Sequence, residues 1–357
     1  MWTQTVRHLA VVGSLLGASS ALPQGTSGDS SSTACNNSPS LCDKKYSEIT
    51  HLGAHDSAFL RDESTGNSIA GNQYYNATYA LDAGLRLLQA QVHVEDSGLR
   101  LCHTSCSILD AGPLQDWLTK VREWIDDKPN DVVTILLVND DDGTTADFAK
   151  AFEGAGLSQY GYVPEGTTTG GGWPTLQSMI DDKKRVVSFV TNIETDQSSA
   201  YLLDEFSHVF ETPFEVTELT GFGCDVDRPK KIASGADAIA DGKLSLVNHF
   251  KYAGITDSIQ FPDVDSIQTV NDPGTSQGNV GLHLQTCSKE WGARPNFVLV
   301  DFYSEGDPLA AVDSMNSVSD ATGREENVPT TNDAGERRNN LGSAALVAAL
   351  AGAVMLI

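Results

Sequence analysis

Apolar runs long enough for a buried strand recur along this chain, and each follows a stretch with apolar residues at helical spacing. Pro113 opens the clearest helix, with Leu114, Trp117, Leu118, Val121, Trp124 and Ile125 on one face. The two tryptophans on that face read as core. After the turn KPND, residues 132–139 read VVTILLVN, apolar almost throughout, as a strand covered on both faces requires. The unit recurs. WPTLQSMIDDKKR leads into VVSFVTN (186–192), VGLHLQTCSKEWGARPN into FVLVDFY (297–303), and YYNATYALDAG into LRLLQAQVHV (85–94). Helix followed by apolar strand predicts a mainly parallel sheet. At this length a single TIM-type (β/α) barrel, with room for distortion, is favoured over a doubly wound sheet. No GxGxxG or Walker loop follows the first strand, and the glycines at 170–172 precede Trp173-Pro174 without a phosphate-loop lysine. Leu203-Asp204-Glu205-Phe206 reads as a surface turn leading into a helix.

The ends have a different pattern. Residues 1–21 carry one basic residue, Arg7, an apolar run and small residues before Leu22, the layout of a signal peptide. Residues 22–34 are polar and aperiodic, a flexible arm; 35–317 form the barrel domain; 318–332 read as a polar stalk. Residues 333–357 end in the uncharged run GSAALVAALAGAVMLI, shorter than the roughly 20 apolar residues of a membrane span. Small residues, a polar spacer and an apolar end make the grammar of a glycolipid-anchor signal, with Asn332 as the expected attachment residue and a tail-anchored helix as the alternative.

Charge narrows the partners. The net charge of −25 argues against nucleic acid and against electrostatic adhesion to anionic lipid, so membrane association would come through the glycolipid. Six cysteines in a secreted chain predict three disulfides out of 15 possible pairings. Proximity favours Cys35–Cys42 and Cys102–Cys106, leaving Cys224–Cys287. Asn36 and Asn76 begin glycosylation sequons.

Candidate chemistry lies where strands end, because barrel enzymes react substrates there. His55 and Asp56 follow the first strand; Gln89, Gln91 and His93 lie along the second; His103 sits in LCHTSC; Asn139 and Asp140 follow ILLV; Asn248 and His249 lie in LVNHF; Asp301 lies in LVDFY. Taken singly, each has a bland reading as a capped loop or core residue, and Asn248-His249 reads equally as rim structure or substrate contact.

As a set they carry a resemblance. GAHDSAF, the strand ending at 93, the histidine at 103 and FVLVDFY look like the catalytic X region of phosphatidylinositol-specific phospholipases C. The span from about 35 to 317, with LCHTSCSILDAGPLQDWL and LLDEFSHVFETPFEV, is similar to secreted phospholipase C-like phosphodiesterases of fungi. That resemblance implies a phosphodiester hydrolase acting on phospholipid or glycolipid head groups. His55 would be the general base, paired with Asp301, and His103 the general acid, paired with Asp56. Gln89, Gln91, His93, Asn139, Asn248 and His249 would contact substrate.

The chain departs from the pattern on the second strand. Bacterial members place an aspartate and an arginine there, and animal members carboxylates that hold calcium; Gln89 and Gln91 stand in those places. Charge stabilisation then falls to protonated His93, or to a divalent cation such as Ca or Mg held by Asp56, Asp140 or Asn139. Two other readings follow: an anchored surface or wall protein that keeps the barrel without turnover, and a glycosidase using Asp56, Asp140 or Asp301.

Overall fold

The computed structural model describes Met1 and residues 34–164, 172–256 and 259–325. The strands are β1 (His51–Ala54), β2 (Leu87–Glu95), β3 (Gly98–His103), β4 (Leu109–Pro113), β5 (Val133–Asn139), β6 (Val186–Val190), β7 (Leu202–Asp204), β8 (Val209–Glu211), β9 (Leu244–Asn248), β10 (Tyr252–Thr256), β11 (Ile259–Pro262) and β12 (Phe297–Val300). Eight of them run parallel in the order β7-β6-β5-β2-β1-β12-β9-β8, the predicted single (β/α) barrel. It is distorted: no ladder joins β7 to β8 among the described residues, and one helical turn, Glu205–His208, connects them in sequence. Glu205 is fully buried there, which corrects the surface-turn reading of 203–206.

Why the strands are apolar on both faces follows from two cores. Along β12, Phe297 and Leu299 pack into one cluster with Leu87, Leu136, Phe189 and Leu246, while Val298 and Val300 pack into the other with the outer helices. Successive side chains point to opposite faces, so a barrel strand needs hydrophobes at every position. Helix Leu114–Asp127 buries the six apolar residues named above, with Trp117 and Trp124 among them, and Pro113 is its N-cap. Gly53 in β1 is required by space: a Cβ there would lie 2.6 Å from Leu87 Cγ and 2.8 Å from Leu299 Cδ2.

All three disulfides pair as expected: Cys35–Cys42, Cys102–Cys106 and Cys224–Cys287. Two other expectations need correction. Asn36 is buried, its Oδ1 accepting from Val132 N–H at 2.7 Å and its Nδ2 sealed from solvent, so the folded protein does not offer that sequon; Asn76 is exposed, as N-cap of Ala77–Ala83. Residues 318–325, the start of the expected stalk, are pinned to the domain. Asp320 accepts from Ser40 Oγ at 3.2 Å, and Arg324 pairs with Asp313 at 2.6 Å. The expected signal peptide beyond Met1, the arm to residue 33, Asn332 and the anchor segment 333–357 lie outside the described residues. Among the described residues no helix is long and apolar enough to cross a membrane.

Candidate active site

β1 and β12 are paired in register, Ala54 against Val300, so the next residues of both strands stand side by side at the C-terminal rim. His55 Nδ1 lies 2.8 Å from Asp301 Oδ1, and Asn72 Nδ2 donates to the same oxygen at 3.0 Å. Gln73 Nε2 donates to the carbonyls of His55 (2.7 Å) and Val300 (3.1 Å), tying the two strand ends together. Phe250, two residues beyond β9, stacks on the imidazole at 3.6 Å between centroids and 6° between planes. Tautomer, ring plane and strand end are therefore all held. Asp56 adopts φ +46°, a left-handed conformation that Asp tolerates better than most residues, and its N–H donates to Gln89 Oε1 at 2.6 Å.

His103 arrives by a longer route. β2 pairs antiparallel with β3, and β3 with β4. His103 ends β3, between the half-cystines of the Cys102–Cys106 bridge and Thr104, whose φ is +59°. Thr104 N–H donates to Gln91 Oε1 at 2.9 Å, and Gln91 Nε2 donates to Asp56 Oδ2 at 3.1 Å. Phe59 meets the His103 ring edge-on, 5.2 Å away. The result is convergence: His55 Nε2 at 3.6 Å and His103 Nε2 at 3.5 Å face the same oxygen, Asp56 Oδ2. Asp56 is sealed, whereas the two rings keep 7% and 11% of their side-chain surface open to solvent.

The two rings differ electrically. Burial by itself disfavours the His55 imidazolium, but the Asp56 and Asp301 carboxylates outweigh it and raise the pKa. For His103 burial prevails over Asp56, the positive His55 adds to it, and the pKa falls. Asp56 Oδ1 and Asp301 Oδ2 are buried without a hydrogen-bond partner among the described residues.

Of the other candidates, Gln89 and Gln91 adjoin the pair: Gln89 Oε1 accepts from Asp56 N–H, and Gln91 spends both amide atoms on Asp56 and Thr104. His93 Nδ1 lies 2.9 Å from Asp141 Oδ2. Asn139 is turned away from any rim ligand: its amide accepts from and donates to Gly143 backbone at 2.8 and 3.0 Å, closing the loop after β5. Asn248 is likewise structural, donating to Glu211 Oε2 (3.1 Å) and Thr212 O (2.9 Å). His249 is fully buried, its Nε2 2.9 Å from Val270 O and its Nδ1 2.9 Å from His283 Nδ1, which removes it from substrate reach. Asp140 is exposed beside the rim. Among the described residues the sole group of three His, Cys, Asp or Glu ligands within 4.8 Å is Cys224, His283 and Cys287, and both sulfurs are bridged. Of the expected cation ligands Asp56, Asp140 and Asn139, the last has both amide atoms engaged by Gly143, while Asp56 keeps Oδ1 without a hydrogen-bond partner among the described residues.

Sequence reasoning missed Asn72, Gln73, Phe59 and Phe250. Phe250 follows the marked pair Asn248-His249 and is the residue of that segment that touches the His55 ring. The hairpin carrying His103 has a visible signal, the turn Asp96-Ser97-Gly98 between alternating segments.

A parallel barrel with a histidine–carboxylate pair at its C-terminal rim defines a phospholipase C-type X region. A sequence model of the PI-PLC X family (PI-PLC X 1) matches residues 41–316. The chain is 38% identical over 323 residues, 89% of its length and 100% of the relative's, to PI-PLC X domain-containing protein 1 of Arthroderma benhamiae. It is 34% identical over 284 residues to an uncharacterized secreted protein of the same organism, covering 78% of this chain and 62% of that one. The chain belongs to the PI-PLC X family. The phosphatidylinositol-specific phospholipase C of Listeria monocytogenes shares the fold, with a TM-score of 0.52, 14% identity, and coverage of 77% of this chain and 95% of that one.

Proposed function

We propose that this protein hydrolyses phosphodiesters of phospholipid or glycolipid head groups through the His55–His103 pair. The observation that carries the reading is the approach of both Nε2 atoms to one carboxylate oxygen, Asp56 Oδ2. His55, held by Asp301, takes the proton of a hydroxyl of the substrate or of water; that oxygen bonds to phosphorus. The bond to the leaving alcohol breaks, and His103 supplies its proton. A route through the secretory pathway, supported by the three disulfides and by the relative named as secreted, and a glycolipid at Asn332 belong to the same proposal.

The roles separate by leaving group. On phosphatidylinositol vesicles both His55→Ala and His103→Ala should lose at least about 100-fold in kcat. On a nitrophenyl phosphodiester, whose leaving group needs no proton, His103→Ala should recover most activity and His55→Ala none. Recovery by His55→Ala instead reverses the two roles. A second reading, a surface protein without turnover, is favoured by uncharged Gln89 and Gln91; a folded wild type inactive on both substrates establishes it.

A further inference from the structure

A phosphodiester arrives as an anion and spreads further negative charge over its oxygens in displacement, so a fixed cation at the rim is worth more than any other single group. β2 presents two uncharged amides there. Followed the other way round the barrel, the rim carries a guanidinium at the end of β8. β8 ends at Glu211, and the loop that follows returns to it: Glu211 N–H donates to Arg228 O, and Asp227 N–H to Glu211 O, both at 2.8 Å. The Arg228 side chain is clamped by Nε (3.0 Å) and Nη2 onto Glu211 Oε2 and lies 4.5 Å over the Phe214 ring. Asn248 Nδ2 donates to the same Glu211 oxygen, tying the clamp to β9, the strand beside β12, which Asp301 follows.

Both clamp bonds go to one oxygen, so the fork is engaged end-on and Nη1 makes no hydrogen bond among the described residues. Glu211 is sealed at 3% of its side-chain surface, while Arg228 keeps 30% open. The clamp stands on the same C-terminal rim as the histidine pair, because β8 pairs with β9 and β9 with β12, whose next residue is Asp301; the Glu211 charge also acts on His55, and the Arg228 charge on Asp140.

Resting on the phosphodiesterase reading, we propose that Arg228 is the phosphate-binding cation of this site, with Nη1 directed to the phosphoryl oxygens and Glu211, Phe214 and Asn248 as its support. The cation thus comes from the β8 side of the rim.

The test uses the full chain as wild type, Arg228→Gln, Arg228→Lys and His55→Ala, with calorimetric binding of inorganic phosphate beside turnover of phosphatidylinositol vesicles. Arg228→Gln should weaken phosphate binding at least about tenfold and lower kcat/KM roughly 100-fold. His55→Ala should bind phosphate like wild type and turn nothing over. If Arg228→Gln does not fold, Arg228→Lys decides: it keeps charge but loses the fork, and unchanged phosphate affinity and kcat/KM in a less stable protein overturn the proposal. So does a wild type that binds no phosphate, or an Arg228→Gln protein that binds and turns over normally. Phosphate binding that depends on Arg228 in a protein without turnover leaves this site standing and sinks the hydrolase reading.

Discussion

Acid should weaken this fold through His51, before most carboxylates titrate. His51 opens β1 at 2% exposure, its ring 4.8 Å from that of Tyr46 and 5.7 Å from that of Phe297, with Nε2 3.3 Å from the Tyr46 carbonyl oxygen. Burial, offset only in part by that carbonyl, pushes the imidazole down from 6.5 to about 4. Between those values the unfolded chain takes up a proton that the native state refuses, so stability falls as pH falls. The penalty is absent above about pH 7 and complete near pH 4. At about 1.36 kcal/mol per pH unit the window is worth about 3 kcal/mol, a large part of the roughly 5–15 kcal/mol that holds a domain together. The assay is urea unfolding of wild type and His51→Gln, disulfides oxidised, between about pH 7.5 and 4.5. Glutamine keeps a donor for the Tyr46 carbonyl but cannot titrate; carboxylates common to both proteins cancel in the difference. The variant starts less stable, and its deficit should shrink by about 2–3 kcal/mol over the range. Curves that stay parallel refute the reasoning.

Three further expectations follow from the same contacts. Asp301→Asn removes a carboxylate that raises the His55 pKa, so the limb of the pH–rate profile that His55 sets should move to lower pH as kcat drops; an unmoved limb means Asp301 does not act through that ring. Cys102→Ala with Cys106→Ala frees the loop that presents His103, and should cost activity roughly tenfold or more while the melting temperature moves little, checked by turnover beside calorimetry. Gly53→Ala pushes a methyl group into Leu87 and Leu299 inside the barrel, and should cost about 1–3 kcal/mol in denaturant unfolding.

Much of the barrel was legible because fully apolar strands leave no ambiguity. VTILLVN, VVSFV and FVLV each fill both faces of a strand, and the six apolar positions after Pro113 are a helix face in any context. β7 and β8 were not legible, since three residues each are too short to show a period, and the turn between them buries a glutamate. The site divides the same way. His55, His103, Asp56 and Asp301 were marked by residue type and strand-end position, and the structure brings them together. Asn248 and His249 bore equal marks, yet one supports Glu211 and the other is sealed against His283.

By itself the amino-acid order determined the fully apolar strands, the helix after Pro113 and the chemical kinds at the strand ends, because side-chain period and hydrophobicity are local properties. Only the tertiary structure decided which polar residues face one another. Whether a histidine meets a carboxylate, a carbonyl or solvent depends on strand register and loop return. Those set Phe250 on the His55 ring and Arg228 at the end of β8, contacts between residues far apart in the chain.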